Sequence, residues 1–312
     1  MSRDPGESFA VGAEQAGLRL DAFLGRRMGI SVAAARRLIE GGHVRVDGRR
    51  RPKGLNLAAS ALVQVTGRSS LSATVIADGS PGVAVIFEDA ALVAIDKPPG
   101  MPSHPLRGGE RGTAANAIVA GFPECATASL EPREGGLGHR LDTATSGVLI
   151  AARTREAWLG LRRALGAADC EKRYLAEVWG SPPDHGAISA VIGRRGRRGK
   201  TVRLDGGRSP RPAETSWTVL TRAADTTLLE ARLHAGRAHQ VRAHLAAAGF
   251  PIVGDDRYGR ALPATAGTGE PDGRLHLHAA AVTFRHPTTG ELVVIQAPRP
   301  AWAKAGAGAF AV

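Results

Sequence analysis

A polar segment that runs directly into an apolar stretch holds the first candidate for chemistry in this sequence. Residues 138–150 read GHRLDTATSGVLI, so Asp142 lies at the entrance of a predicted strand, two positions after Arg140 and close to hydroxyl side chains. Taken alone, an Asp in such a turn more often hydrogen-bonds its own backbone. An ionised carboxylate beside a cation can instead act as a nucleophile or stabilise positive charge. The segment makes Asp142 a candidate catalytic residue.

Three further segments place charged or reactive side chains next to predicted strands. Residues 92–105 read LVAIDKPPGMPSHP, residues 172–178 read KRYLAEV, and residues 236–259 read GRAHQVRAHLAAAGFPIVGDDRYG. The second segment contains Tyr174, one of only two tyrosines in the chain. A scarce aromatic residue inside a motif favours a chemical role for Tyr174 over a packing role.

The four segments, in their order along the chain, resemble the motifs of the RluA-type pseudouridine synthase family. Residues 138–150 are similar to its HRLDxxTSG signature, and the other three to its NKPxGxxxHP, KxYxAxV and GRxHQIRxHLxxxGxPIxGDxxYG motifs. The resemblance spans about residues 85–300. The departures are Asp96 for Asn, Ala235 for Thr and Val241 for Ile. None of them removes a group that is expected to react.

The resemblance implies an isomerase that converts uridine in RNA to pseudouridine without a metal, nucleotide or redox cofactor. Breaking the bond between uracil and ribose requires a carboxylate near the anomeric carbon, and Asp142 takes that role. Arg242 pairs with it, and Tyr174 stacks on the base and serves as, or assists, the base that deprotonates carbon 5. Arg140 resembles the arginine that fills the gap left by the extruded nucleotide. The residues expected to support the pocket are His139, Thr145, Arg237, His239 and Gln240.

A small basic unit precedes these segments. The spacing of its apolar residues predicts two short helices, the second stopped by a Gly-Gly pair, then a hairpin at an Asp-Gly turn and a strand at residues 62–65. This order resembles the S-four-like RNA-binding domain, although Val32 follows Ser31 where that family has Arg. A generic basic helical module is the alternative. The candidate phosphate contacts are Arg36, Arg37, Arg45, Arg49, Arg50, Arg51 and Lys53.

These patterns divide the chain into two domains. The sequence predicts an N-terminal tail (1–17), the S-four-like domain (18–66), a Ser-, Ala- and Gly-rich linker (67–82), a pseudouridine synthase domain (83–302) and a C-terminal tail (303–312). Many strand-like segments and few helices indicate an α+β fold with a mixed, largely antiparallel sheet and flanking helices. A small α/β unit precedes it.

The composition favours an acidic polymer as the partner. The net charge is +12, and all but five of the 41 basic residues are Arg, which contacts phosphate at two points. The charge is concentrated in residues 1–70, with a net +6, and in residues 154–312, with a net +9. RNA is therefore the predicted partner. The family resemblance favours large-subunit ribosomal RNA, with transfer RNA as the other candidate.

Other features limit where the protein works. No apolar run approaches the roughly 18 residues that span a bilayer, and the first residues lack the pattern of a signal peptide, so neither membrane insertion nor export is expected. Cys125 and Cys170 stand alone, which argues against a disulfide framework and fits a cytoplasmic protein. The sequence shows no obligate protein partner, so a monomer is expected.

Two other site chemistries find weaker support in the sequence. Residues 193–201 read GRRGRRGKT, but the spacing from Gly193 to Gly199 is one residue longer than a phosphate-binding P-loop allows. The stretch fits better as a basic loop that lies on a nucleic-acid backbone. His276 and His278 share one face of a predicted strand, yet no carboxylate or Cys completes a metal-binding spacing, so no metal site is predicted.

A function of a different class is a non-catalytic RNA-binding or ribosome-assembly protein that retains the fold. The two basic ends of the chain favour it. The intact set of Asp142, Tyr174 and Arg242 argues against it.

Overall fold

The computed structural model describes residues 6–30, 32–66, 74–107, 109–194, 201–234, 236–259 and 273–303. Within these ranges, four side chains are not described: those of Ala33, Arg37, Arg194 and Arg208. The side chain of Arg37 and most of the predicted basic loop, at residues 195–200, therefore lie outside the described part of the chain. The described strands form two sheets, one of three strands and one of ten.

The smaller sheet and two helices form the N-terminal unit. Its elements are β1 (Glu7–Ala10), α1 (Leu20–Met28), α2 (Val32–Glu40), β2 (Val44–Val46) and β3 (Leu62–Val65). Strand β3 lies between β1 and β2 and is antiparallel to both. Both helices contribute to one buried core with these strands, which contains Phe23, Leu38 and Val63. The two predicted helices and the strands at HVRV and residues 62–65 are confirmed.

The predicted hairpin at the Asp-Gly turn is wrong in its pairing. Asp47 and Gly48 do form a turn, with φ values of 51° and 73°, but the turn is closed by a single bridge between Val46 and Arg49. Strand β2 pairs with β3 instead. The residues after the turn, RRRPKG, are polar and include a proline without an N–H donor, so they extend no ladder.

The described residues of the predicted tail and linker take part in the two folded units. Residues 7–10 of the predicted N-terminal tail form β1, in which Glu7 pairs with Val65. At the end of the predicted linker, Val75 is buried in the larger domain and its N–H donates to the carbonyl oxygen of Pro132. Each stretch has too few apolar residues for its sequence to show a periodic pattern that would predict this packing.

The larger domain is built around the ten-stranded sheet. Its strands are β4 (Ala84–Glu88), β5 (Leu92–Lys97), β6 (Ser146–Ala152), β7 (Glu171–Trp179), β8 (His185–Arg194), β9 (Val202–Leu204), β10 (Arg208–Arg222), β11 (Thr226–Leu233), β12 (Leu277–Arg285) and β13 (Leu292–Gln296). The order is β4-β5-β6-β12-β7-β11-β10-β8-β9, and β13 pairs with β12. Among these described strands, β6 and β12 are parallel and the other pairs are antiparallel. The predicted mixed, largely antiparallel sheet is confirmed.

Four described α-helices accompany this sheet. They are α3 (Ala114–Gly121), α4 (Cys125–Ala128), α5 (Arg155–Ala164) and α6 (Gln240–Ala247). Thr113 and Thr154 cap α3 and α5 by accepting a backbone N–H with their side chains. No helix in the described residues is long and apolar enough to cross a membrane.

Strand β6 carries the segment that follows Asp142 into the centre of the sheet. All seven of its residues are buried, and they alternate between two cores: Val148 packs in the core that contains Trp158 of α5, and Leu149 in the core that contains Ile118 of α3. Gly147 lies so close to β12 that an added Cβ would be 2.2 Å from the carbonyl oxygen of Ala279. This close approach fixes the start of β6 and the turn before it.

Candidate active site

A cleft of about 1640 Å³ opens where the turn before β6, strand β7 and the start of α6 meet. Its lining includes Arg140, Asp142, Tyr174, His239 and Arg242. These residues come from three of the four motifs recognised in the sequence. The fold thus places in one cleft side chains that lie up to about a hundred positions apart in the sequence.

Asp142 and Arg242 form a direct ion pair in the cleft. Nη1 of Arg242 donates to Oδ2 of Asp142 at 3.0 Å, across 100 positions of sequence. The side chain of Arg242 is 4% exposed, whereas that of Asp142 is 25% exposed and remains reachable from the cleft. The pairing that the family resemblance implied is present in the structure.

Asp255, to which the sequence analysis assigned no role, holds the other side of Arg242. Its Oδ2 accepts Nε of Arg242 and its Oδ1 accepts Nη2, both at 2.8 Å, in a two-point ion pair. Burial opposes the charged forms, but the mutual hydrogen bonds prevail: the pKa of Asp255 is lowered, and that of Arg242 is raised further by pairing with Asp255 and Asp142. The sequence feature that could have identified Asp255 is the Gly-Asp pair at residues 254–255, which lies inside the last recognised motif.

His239 lies near the carboxylate oxygen of Asp142 that Arg242 does not contact. It is the N-cap of α6 with φ at 54°, and its Nε2 is 3.7 Å from Oδ1 of Asp142. Its Nδ1 is 3.1 Å from the hydroxyl of Tyr258, which also accepts the N–H of Val202 at 2.8 Å. Burial lowers the pKa of His239, with Arg242 contributing in the same direction while Asp142 opposes it. A neutral imidazole therefore faces the carboxylate.

Tyr174 of β7 lies half-buried on the cleft wall between two apolar cores. Burial, assisted by the negative charge of Asp142, raises the pKa of Tyr174 well above its usual value. Its phenol therefore keeps the proton at neutral pH in the free site. Its side chain lines the cleft, as a residue that stacks on a base requires.

Lys97, for which the sequence predicted no role, ties two loops of the site together. The residue ends β5 in the LVAIDKPPG segment and is fully buried. Its Nζ donates to the carbonyl oxygens of Pro98, Met101 and Thr143. Burial lowers the pKa of Lys97 to about 8, although Asp142 and Asp96 oppose the shift.

Ser103 adds a second tie between the same loops. Its hydroxyl donates to the carbonyl oxygen of Leu141 at 2.7 Å and accepts the N–H of Leu141 at 3.0 Å. The residue directly before Asp142 is therefore held at both of its backbone polar groups.

Four of the predicted supporting residues lie around the pocket without contacting the carboxylate of Asp142 in the described contacts, although the N–H of Thr145 donates to the carbonyl oxygen of Asp142 at 3.1 Å. Nε2 of His139 accepts the N–H of Ile150, and burial lowers the pKa of His139 to about 3. Gln240 is buried and donates to Glu214 and Thr215 of β10. Thr145 is buried at the entrance of β6, and Arg237 lies half-exposed on the cleft wall. These residues shape the walls, whereas His239 faces the carboxylate itself.

Arg140 is exposed at the rim of the cleft. It lies close enough to His104 to lower the pKa of that residue, which burial brings to about 4. An exposed arginine two residues from Asp142 is in a suitable place to contact an extruded nucleotide's neighbours.

The predicted phosphate contacts of the N-terminal unit differ in how available they are. Arg36 pairs with buried Asp21 at 2.7 Å, and Lys53 pairs with Glu40, so each has a carboxylate partner already. Exposed residues that bring positive charge to the solvent are Arg45, Arg49, Arg50 and Arg51.

The histidines singled out by the sequence have separate partners. His276 pairs with Glu177 at 2.6 Å and stacks on Trp302, and His278 contacts Ser146 at 2.9 Å. His244 of α6 likewise has its own partner, Thr215, at 2.9 Å. Across the described ranges, no group of three or more His, Cys, Asp or Glu side chains is arranged to hold a metal ion.

Comparison with known proteins identifies the family. The family model described as RNA pseudouridylate synthase matches residues 91–247, which include Asp142, Tyr174 and Arg242. The chain belongs to the RNA pseudouridine synthase family. This pseudouridine synthase is therefore an isomerase that acts on uridine in RNA, and the non-catalytic alternative is disfavoured. A second family model, the S4 domain, matches residues 18–53.

Several relatives cover most of the chain. An uncharacterized RNA pseudouridine synthase of Chloroflexus aurantiacus is 39% identical over 91% of this chain and 87% of its own. The ribosomal large subunit pseudouridine synthase C of Yersinia pestis is 35% identical over 93% of this chain and 91% of its own. The ribosomal large subunit pseudouridine synthase D of Xanthomonas campestris pv. campestris is 40% identical over 69% of this chain and 66% of its own.

The fold agrees with this family. The solved structure of human RNA Pseudouridylate Synthase Domain Containing 1 covers 72% of this chain and 87% of its own, with a TM-score of 0.56 and 25% sequence identity.

Proposed function

We propose that this pseudouridine synthase modifies uridine in large-subunit ribosomal RNA, with Asp142 as its catalytic carboxylate. The observation that supports the role of Asp142 most directly is its 3.0 Å contact with buried Arg242 at the wall of an open cleft. The substrate class rests on the relatives from Yersinia pestis and Xanthomonas campestris, whose names specify the large ribosomal subunit. Transfer RNA is the second candidate substrate.

In the proposed reaction, the bond between carbon 1′ of ribose and nitrogen 1 of uracil breaks, and its electron pair stays with uracil. Asp142 either bonds to carbon 1′ or stabilises the positive charge that develops there. Arg242 orients the carboxylate through its 3.0 Å contact. Uracil then turns, carbon 5 bonds to carbon 1′, and the carboxylate is regenerated.

Tyr174 is proposed to act on the detached base. Its ring would stack on uracil while the base turns, and its hydroxyl would assist removal of the proton from carbon 5. Nitrogen 1 takes up a proton, so the product is an isomer of the substrate and the reaction consumes no cofactor. Neither cofactor nor metal is therefore proposed.

The rest of the site is proposed to hold the RNA. Arg140, at the exposed rim, would fill the space that the extruded nucleotide leaves. The exposed arginines of the N-terminal unit would contact the phosphate backbone without reading sequence. In this proposal the larger domain catalyses the reaction and the S4 unit adds affinity. We further propose that the enzyme works as a monomer in the cytoplasm, where ribosomal RNA is found.

The test uses the full chain and two transcribed RNAs, large-subunit ribosomal RNA and a transfer RNA. Carbodiimide mapping should detect pseudouridine in the ribosomal RNA after incubation with the wild type and none after incubation with Asp142→Asn. RNA affinity should be nearly unchanged, because backbone contacts dominate it. Activity of Asp142→Asn at the wild-type rate would refute the role of Asp142. Modification of transfer RNA alone would refute the substrate class.

A further inference from the structure

One large apolar side chain stands in solvent at the rim of the cleft. Leu106 lies in the loop between β5 and α3 and is 73% exposed, the largest fraction among the large apolar residues that the structure describes. It lines the cleft together with Arg140 and Asp142. We propose that Leu106 packs on a base of the bound RNA, next to the extruded uridine. This inference rests on the proposed function, in which this cleft receives the uridine.

The backbone around Leu106 is held on both sides. Oε2 of Glu110 accepts the N–H groups of Leu106 at 2.7 Å and Arg107 at 3.1 Å. The carbonyl oxygen of Leu106 accepts a hydrogen bond from Nη1 of Arg133. The carbonyl oxygen of Glu110 in turn accepts Nδ2 of Asn116 in α3 at 3.2 Å. A side chain on a backbone fixed in this way loses less entropy when RNA binds.

This loop runs beside the turn that carries Asp142. Ser103 is hydrogen-bonded to both backbone polar groups of the residue directly before Asp142. Leu106 follows three positions later, so its Cα lies within about 11 Å of that of Ser103. His104, between them, is close enough to Arg140 for the arginine to lower its pKa. Leu106 and Arg140 are therefore both near the catalytic turn.

The chemistry of the side chain selects a base over a phosphate. An aliphatic group offers neither charge nor a hydrogen bond, so it gains free energy only by covering apolar surface. Extrusion of a uridine uncovers the faces of the bases that were stacked on it. Proteins that unstack bases place apolar side chains such as Leu against those faces. An exposed leucine is ordinary on a protein surface, but one at the rim beside Asp142 meets this need.

The charges around Leu106 favour RNA as its partner. Arg107 and Arg111 of the same loop are exposed, and so is Arg140 at the rim. The nearest carboxylate in the loop, that of Glu110, is occupied by two backbone N–H groups. Phosphates are attracted to such a surface, which brings the bases of the same strand to Leu106.

The decisive variant is Leu106→Ala, tested with the transcript in which the wild type forms pseudouridine. RNA affinity should fall about fivefold, because part of the apolar contact is lost. The slope of log affinity against log salt should not change, because an apolar contact releases no counterions. Single-turnover rates at limiting RNA should fall by the same factor, while those at saturating RNA stay within about twofold of the wild type. An unchanged affinity would overturn the inference.

Two further variants test whether the apolar surface at this position is responsible. Leu292→Ala makes the same change on β13, at a residue that is 59% exposed and is not among those that line the cleft. Its RNA affinity should equal that of the wild type. Leu106→Met keeps the apolar volume, so its affinity should stay within about twofold. Equal losses in Leu292→Ala and Leu106→Ala, or in Leu106→Met and Leu106→Ala, would contradict the proposal.

A photo-crosslinking amino acid at position 106 locates the contact on the RNA. Primer extension should stop at a base that neighbours the modified uridine in the stack. Crosslinks to distant nucleotides alone would refute the contact. A lower rate at saturating RNA with unchanged affinity would also refute it, since Leu106 would then act on the catalytic turn through Ser103.

Failure of this inference is distinguishable from failure of the proposed function. Activity of Asp142→Asn at the wild-type rate refutes the role of Asp142, and modification of transfer RNA alone refutes the substrate class. The affinity of Leu106→Ala relative to the wild type is measured on either RNA, so it decides the role of Leu106 in both cases.

Discussion

Nζ of Lys97 donates a hydrogen bond to the carbonyl oxygen of Thr143, 3.2 Å away and 46 positions later in the sequence. The same ammonium group binds the carbonyl oxygens of Pro98 and Met101, so one buried cation joins the loop after β5 to the turn that carries Asp142. The turn that carries Asp142 is thereby fixed from inside the protein.

Replacement of Lys97 should loosen this part of the site. Lys97→Met keeps most of the buried chain but leaves three carbonyl oxygens without their donor, at a cost of about 1–3 kcal/mol in the free energy of unfolding. Loss of activity should exceed the loss of folded protein, because Asp142 also becomes less well placed. Urea unfolding and single-turnover rates measure the two effects. Lys53→Met, at a half-exposed pair with Glu40, is the control and should change the stability by less than about 1 kcal/mol.

Tyr174→Phe should separate stacking from proton removal. The ring and its packing remain, so RNA affinity should change little, while release of the hydrogen from carbon 5 should slow by about a hundredfold. The assay uses RNA labelled with tritium at carbon 5 of uridine and follows tritium appearing in water. Release at the wild-type rate would show that the hydroxyl takes no part.

The pKa of Tyr174 bears on when its hydroxyl can act. Burial and then Asp142 raise that pKa, so the phenol is protonated when the site is empty. If Asp142 bonds to ribose, its negative charge is lost and one cause of the raised pKa disappears. The pKa of Tyr174 is therefore lower after the carbon–nitrogen bond has broken than before. The phenol then loses its proton more readily, and the phenolate can accept the proton of carbon 5.

The exposed arginines of the N-terminal unit should determine part of the salt dependence of RNA binding. Replacement of Arg49, Arg50 and Arg51 by Gln should reduce the slope of log affinity against log salt by about 2 to 3, near 0.7–0.9 for each phosphate group that is no longer neutralised. Filter binding at several salt concentrations measures the slope. Arg26→Gln, an exposed arginine on α1, should leave it unchanged. If the triple variant has the same slope as the wild type, this surface does not bind RNA.

Stability should fall in mild acid because several buried histidines stay neutral in the folded protein. Burial lowers the pKa of His139 to about 3 and those of His104 and His278 to about 4, against an ordinary value near 6.5. Between those limits the unfolded chain binds protons that the folded protein does not, so stability decreases as pH falls from about 6.5 to about 4. Each histidine contributes a slope of up to about 1.4 kcal/mol per pH unit.

Urea unfolding at a series of pH values checks this expectation. His278→Gln should reduce the slope of unfolding free energy against pH by up to about 1.4 kcal/mol per pH unit, because Gln does not titrate. A stability that is constant between about pH 6.5 and 4 would show that these side chains are protonated in the folded state.

Much of this architecture follows from local pattern. Helices α1 and α2 follow from the spacing of apolar residues, and many of the strands from short strand-like segments, because these signals depend on neighbouring residues alone. The order of four motifs pointed to the family and to Asp142, Tyr174 and Arg242. The sequence did not predict strands β1, β8 and β9, because their residues are largely half-buried or exposed and no buried apolar run marks them.

The partners of those side chains depend on tertiary structure. The sequence determined which residues carry reactive groups: a carboxylate, an arginine, a tyrosine and a lysine within recognisable segments. The tertiary structure decided that Asp255 and Asp142 share Arg242, and that Lys97 binds carbonyl oxygens of two loops. Such pairs join residues far apart in the chain, and no local preference encodes them. They form because burial of a charge is costly unless the fold brings a partner to it.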